Sequence, residues 1–380
     1  MRTIYLDYNA TTPVAPGVQE AMLPFLAEHF GNPSSHHALG RACHEAVEDA
    51  RLRVARLLGA DRSEIVFTSG GTESNNLAIK GSALHYAPAG SGHVVVSAIE
   101  HPSVFGPASW LESLGYAMTV VGCDEQGVVD ADAVDAAIRP DTVLVSVMHA
   151  NNEIGTVQPI RRIAEVCRTR RILFHSDAAQ TAGKLPTVVD ELGVDLLSIA
   201  GHKMYAPKGI GALYVRRGVA LEPLLHGANH EWGQRAGTEN VPYIVGLGIA
   251  ASIARENLAD AADRMALLRD RLQQRLRVGI GEELTVNATR TERLPNTLSV
   301  NFPRVNGEVL LRRLPELCAS TGAACHSGSN HLSPTLAAIG LTSEHARGTV
   351  RLSVGWYTTE EEIDRAAALL LAAWEGESSA

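Results

Sequence analysis

Phe174-His175-Ser176-Asp177-Ala178-Ala179-Gln180 is a short apolar run that ends on an acidic residue among small neighbours. Ser198-Ile199-Ala200-Gly201-His202-Lys203 repeats the plan with a lysine at its end. Runs of this kind read as buried strands, and working outward from them the chain supplies seven: 64–67, 93–97, 118–121, 142–148, 172–175, 195–199 and 211–215. Helical patterns at 41–58, 104–114 and 160–168 lie between them, and one long pattern at 245–278 follows. Strands alternating with helices predict an α/β fold with a mostly parallel sheet. Such sheets bind ligands at the carboxyl ends of their strands, so the residues just after each strand are the candidates for chemistry.

From about residue 260 the order changes. Strands at 284–287, 297–301 and 349–354 mix with helices at 307–314 and 359–374, which predicts a smaller α+β lobe. The 380 residues carry 33 Lys+Arg against 42 Asp+Glu, a net charge of −9. With no clustered basic run, nucleic acid and anionic membrane surfaces are not the expected partners. The apolar stretches are too short for a spanning helix, and no secretory leader pattern opens the chain. Cys43, Cys123, Cys167, Cys318 and Cys325 are odd in number and scattered, without a Cys-x-x-Cys pair. A reduced, cytoplasmic setting is expected, with at least one free thiol.

Four constellations can carry chemistry. In Phe67-Thr68-Ser69-Gly70-Gly71-Thr72-Glu73-Ser74-Asn75-Asn76 a strand enters a helix through two glycines, and a helix N-terminus with free N–H groups suits an anion. An ordinary capped helix start gives the same pattern. Asp177, emerging at a strand end, implies a cationic partner such as a protonated ring nitrogen. A metal site of His175, Asp177 and His202 competes, but lacks metal-ligand spacing. A lysine just past a strand end, in a crevice, can be desolvated into a nucleophilic amine, and spacing leaves Lys203 and Lys208 both open. Finally, Cys325 stands in Gly322-Ala323-Ala324-Cys325-His326-Ser327-Gly328, a small-residue loop that suits an accessible thiolate.

Together with Tyr5 to Pro13, Gly31 to Ser35, Glu100-His101, Asn151 to Gly155, Arg235 to Asn240 and Val350-Arg351-Leu352, these segments, in this order, resemble the class V, fold-type I pyridoxal-phosphate (PLP) enzymes. Within that group they resemble the NifS/IscS-type cysteine desulfurases. The resemblance implies a large PLP-binding domain over 15–258, with 1–14 and 259–380 forming a small domain that carries the cysteine loop. It implies that Lys203 bonds the cofactor, that Asp177 holds its ring nitrogen protonated and that His101 stacks on the ring and assists proton transfer. Gln180 and Asn152 would reach the ring hydroxyl. Gly71, Thr72, His202 and, from the second subunit of a homodimer, Thr238 would hold the phosphate. Arg351 would take the substrate carboxylate, with Asn152 beside it.

The implied reaction removes sulfur from L-cysteine, gives L-alanine and leaves a persulfide on Cys325. A protein acceptor or scaffold serving iron–sulfur assembly, thio-cofactor synthesis or tRNA thiolation would then receive the sulfur. The Cys325 and Gly237-Thr238-Glu239-Asn240 segments also resemble selenocysteine lyases, so L-selenocysteine is the alternative substrate; a class V aminotransferase is the third reading. Three positions depart from the family pattern: Ala200 where a phosphate-binding serine is common, Ala228-Asn229 within a turn that is often all glycine, and Trp356 where arginine is common.

Overall fold

A computed structural model describes residues 3–87, 90–321 and 332–378. In chain order the strands of the main part are β1 (Ile4–Tyr5), β2 (Ile65–Thr68), β3 (His93–Ser97), β4 (Ala117–Val121), β5 (Thr142–Ser146), β6 (Leu173–Asp177), β7 (Leu196–Ala200) and β8 (Gly211–Val215). β2 to β8 form one seven-stranded sheet in the order β2-β8-β7-β6-β5-β3-β4. β8 is antiparallel to both its neighbours, and the other pairs are parallel.

The sheet is buried on both faces, which is why its strands are near-continuous apolar runs. Along β3, Val94 and Val96 pack with Leu77, Val104 and Leu111, whereas Val95 between them packs with Phe174, Leu197 and Leu247 on the other side. After α1 (Pro16–Ala27) and α2 (Ala38–Leu58), the first layer comes from α3 (Gly71–Tyr86) and α4 (Pro102–Glu112). The second is built around the helix Ala38–Leu58 and the helix Val241–Glu256. These two helices approach so closely that a Cβ on Gly248 would lie 2.6 Å from Ala50 Cα, so only glycine fits there.

Each of the seven expected strands is present, with ends displaced by at most two residues. The long helix expected over 245–278 is two helices, Val241–Glu256 and Leu258–Ile280. Asn257 separates them: its Nδ2 donates to the Ile253 carbonyl at 2.8 Å, so the side chain competes with the backbone for the last turn.

The later strands β9 (Thr285–Val286), β10 (Thr297–Asn301), β12 (Ser320–Thr321) and β13 (Thr349–Ser353) form a second, antiparallel sheet, and β11 (Leu317–Cys318) pairs in parallel with β1. Leu6 joins Leu272, Leu298, Val350, Leu352 and Leu370 in a separate core under this sheet. The segment after β1 therefore spans two structures. Ser353 N donates to Leu6 O at 2.7 Å, and Thr12 N donates to His202 O at 2.9 Å, just past β7. Residues 7 to 11 are held between the two sheets.

Candidate active site

Every parallel strand that contributes to the site does so at its carboxyl end. Gly71 and Thr72 follow β2, His101 follows β3, Asn152 follows β5, Asp177 ends β6, and His202 and Lys203 follow β7. Together with Asn9, Ala10 and Arg351 they line a cavity of about 540 Å³, within the range of small-molecule and cofactor sites. Lys208 is exposed and lies off this cavity, so the geometry favours Lys203 between the two.

Lys203 stands on a single 3-10 turn, Gly201–Lys203. A Cβ at Gly201 would meet Ile210 Cγ2 at 2.8 Å, which presses the turn against β8. The ammonium donates to Ala10 O at 2.9 Å and to Asn9 O. Burial first, and then Arg351, lower its pKa to about 8 against the raising effect of Asp177 and Asp7. A lysine in this state is neutral in about a tenth of the molecules at pH 7, far more than an ordinary surface lysine. Tyr205, two residues on, takes a left-handed φ of 60°. It is held there by a hydrogen bond from its N–H to Thr12 Oγ1 (2.9 Å) and by Trp356, whose ring stacks on it at 3.8 Å. This is the place of the Trp356 departure: the indole braces the turn that carries Lys203.

Asp177 is buried, and its two oxygens have separate donors. Oδ1 accepts from Ala179 N (2.9 Å) and Oδ2 from Asn75 Nδ2 (2.7 Å). The same Asn75 nitrogen donates to Ser103 Oγ at 2.8 Å, and Ser103 Oγ lies 2.8 Å from His101 Nδ1. His101 caps α4, so its Nδ1 also accepts from Ser103 N at 3.1 Å. With Nδ1 accepting, the ring proton sits on Nε2. Partial burial lowers the His101 pKa; Asp177 raises it and Lys203 lowers it again.

At the other end, α3 follows directly on Gly70, whose φ of 148° is open to glycine and strained for other residues, and no side chain caps the helix. Its first N–H groups have no partner within the helix. Ala200 lies beneath, 3.3 Å from where a Cβ on Gly71 would stand. His202 Nδ1 is 3.2 Å from Thr11 Oγ1, and burial with Lys203, Lys208, Lys184 and His101 around it lowers the ring pKa to about 4. On the rim, Arg351 donates from Nη2 to Asp7 Oδ1 (2.8 Å) and from Nη1 to Asn152 O (3.0 Å). Its Nε is buried without a partner, which leaves one cationic donor for an anion.

His175, by contrast, lies within the sheet. Its nitrogens pair with Ser146 Oγ (2.8 Å) and Ser198 Oγ (2.9 Å), and burial lowers its pKa to about 4, so it is a neutral structural residue. Thr238 is exposed in the loop before Val241 and is not part of this cavity wall. Cys325 lies outside the described residues. Sequence reasoning assigned no role to Asn9, Asn75, Ser103 or Lys184. The first two fall inside segments quoted for their resemblance, a signal that marked the segment without marking the residue.

The class-V aminotransferase family model matches residues 4–366. A cysteine desulfurase IscS of Dictyoglomus turgidum is 47% identical over 365 residues, covering 96% of this chain and 92% of the relative. A solved NifS-like protein superposes with a TM-score of 0.91 at 37% identity, with full coverage of both chains. SspA, solved in complex with cysteine, gives a TM-score of 0.83 at 41% identity over 94% of this chain and all of that one. The chain belongs to the class-V aminotransferase family.

Proposed function

We propose that the protein is a pyridoxal-phosphate-dependent cysteine desulfurase that moves sulfur from L-cysteine to Cys325 and releases L-alanine. The observation that carries this reading is Lys203, held by two main-chain carbonyls at the end of β7, in the same cavity as a buried Asp177. Relatives named cysteine desulfurase along nearly the whole chain support it.

The residues fit the cofactor. The uncapped start of α3, with Thr72 and His202, offers donors for a phosphate; Asp177 offers a carboxylate for a ring nitrogen; Lys203 offers an amine for the aldehyde carbon; and Gln180 and Asn152 lie along the same wall. When bound, pyridoxal phosphate supplies a ring that takes up negative charge from the substrate carbon, provided its nitrogen stays protonated. Asp177 holds that proton in place. Arg351, through its spare Nε and planar guanidinium, takes the substrate carboxylate. Lys203, as a neutral amine, removes the substrate Cα proton, and His101 Nε2 assists its passage. The Cys325 thiolate attacks the substrate sulfur. An S–S bond forms as the Cβ–S bond breaks, Cβ gains the electron pair and a proton, and alanine leaves.

Residues 15–258 are read as the large domain and 1–14 with 259–380 as the small one, in keeping with the two separate cores. A homodimer accounts for the exposed Phe30, Leu39 and Trp232 beside the loops that would carry Thr238 to the second site. No described helix is long and apolar enough to cross a membrane, and a cytoplasmic setting with a protein acceptor for iron–sulfur assembly or a related pathway is the proposed context.

The test supplies purified protein with PLP and L-cysteine. Alanine and a persulfide on Cys325, found by mass spectrometry, are expected, and Cys325→Ser should lose both sulfur transfer and alanine formation. Unchanged sulfide release from Cys325→Ser would overturn the covalent transfer. Turnover of L-selenocysteine that survives in this variant, with little from L-cysteine, would point to the lyase instead.

A further inference from the structure

Lys184 closes the turn after β6 and is 4% exposed. No carboxylate pairs with it among the described residues. Its Nζ instead donates to the Gln180 carbonyl at 3.0 Å and lies 3.3 Å from Gln180 Oε1. The charged groups facing it are Lys203 and Arg351, both cationic, and burial with these two lowers its pKa to about 7. Asp177 and Asp7 act on Lys203, not on Lys184. An apolar side chain would fill this volume without the cost of a buried amine. Packing therefore does not explain the lysine.

The amide it touches does. Lysine has donors and no acceptor, so only the oxygen of the Gln180 amide can face it. The NH2 group must then point the other way, and it donates to Asn9 O at 3.0 Å, the carbonyl that also receives Lys203 Nζ. Gln180 lies on the cavity wall. We infer that Lys184 is a positioning residue that acts through Gln180, fixing the amide so that its NH2 group, and not its oxygen, is presented beside Lys203 and the cavity. With an apolar residue at 184 the amide oxygen loses its donor, and the Asn9 carbonyl alone selects the orientation, so the flipped amide costs less and an acceptor is presented there more of the time.

The inference rests on the reading of the cavity as a pyridoxal-phosphate site. A fixed donor favours negative charge on a ring oxygen, and an acceptor in its place disfavours it. The protonation midpoint seen in the visible absorbance of the holoenzyme therefore reports the orientation of Gln180. Lys184→Met, close to isosteric, is expected to raise that midpoint by about half a pH unit or more, with the band itself retained. In a Gln180→Met background, Lys184→Met is expected to shift it no further. Lys184→Gln, shorter and neutral, is expected to raise it too and keeps the test decisive if Lys184→Met does not fold. A midpoint that stays at the wild-type value in the folded Lys184 variant overturns the inference. So does an equal shift in the Gln180→Met background, because Lys184 would then act as a distant charge. A wild-type protein that develops no band with PLP overturns the cofactor reading itself, and the inference with it.

Discussion

Two regions meet at the cavity and are built differently. The floor consists of residues at strand ends, Asp177, His101 and Lys203, each fixed within a few residues of a strand of the main sheet. The rim consists of residues 7 to 10 with Arg351 and Asn296, brought together across most of the chain: Asn296 Nδ2 donates to Asn9 Oδ1 at 2.9 Å, and Arg351 Nη2 to Asp7 Oδ1 at 2.8 Å. The difference separates tasks. A sheet buried on both faces is rigid and holds the groups that need fixed geometry. The rim is a seam between two cores, where one change of contact alters what the cavity holds without disturbing the sheet.

The strongest way to break this division is at the floor. Lys203→Ala removes the amine and leaves every strand in place. A fall of about a thousandfold or more in kcat is expected, with loss of the lysine-linked visible band and little change in thermal midpoint. A rate near that of the wild type would remove Lys203 from the chemistry and with it the special standing of the floor.

A smaller effect is expected at the rim. Arg351→Lys keeps the charge near Asp7 but gives up the planar guanidinium and its free Nε. One hydrogen bond to a charged group is worth about 1.5–3 kcal/mol, so kcat/KM for L-cysteine should fall about tenfold to a hundredfold. Most of the loss should appear in KM. A loss confined to kcat would place Arg351 with the floor.

The same division explains what could be read in advance. Strands such as His93-Val94-Val95-Val96-Ser97 announce themselves because burial on both faces demands continuous apolar β-branched residues. Asp177 and Lys203 stood out because a charge beside such a run needs a reason. Asn9 and Asn75 did not, because an uncharged amide is common in loops, and its meaning comes from the partner it finds. For Asn75 those are Asp177 and Ser103; for Asn9, Thr297 and Asn296. No local pattern encodes a contact between residues 9 and 296. Lys184 was hidden for a different reason: a lysine four residues from a strand-end motif reads as a solvated charge until its burial is known. Family resemblance identified the segments, and the fold identified the partners.

The floor also holds a buried carboxyl that keeps its proton, and this is the subtlest test of the contrast. The rim amides of Asn9 and Asn296 are paired with each other. Glu100, beneath His101, has one oxygen that accepts from Ser97 Oγ (2.5 Å) and Met148 N (2.7 Å), while its Oε2 is buried without a partner. Burial, against the lowering effect of the two hydrogen bonds and with a further contribution from Asp177, raises its pKa to about 8. The folded protein thus keeps a proton that the unfolded chain releases near its ordinary value of 4.5. Between these two values the unfolded state binds fewer protons, so stability falls as pH rises, and the fall ends once the folded carboxyl ionises near pH 8. Glu100→Gln has the same shape, still accepts from Ser97 and Met148, and cannot ionise. Its thermal midpoint relative to wild type should therefore climb between about pH 5 and pH 8. An equal offset at both pH values would mean that the carboxyl is already ionised in the fold, and that the floor tolerates a second buried anion beside Asp177.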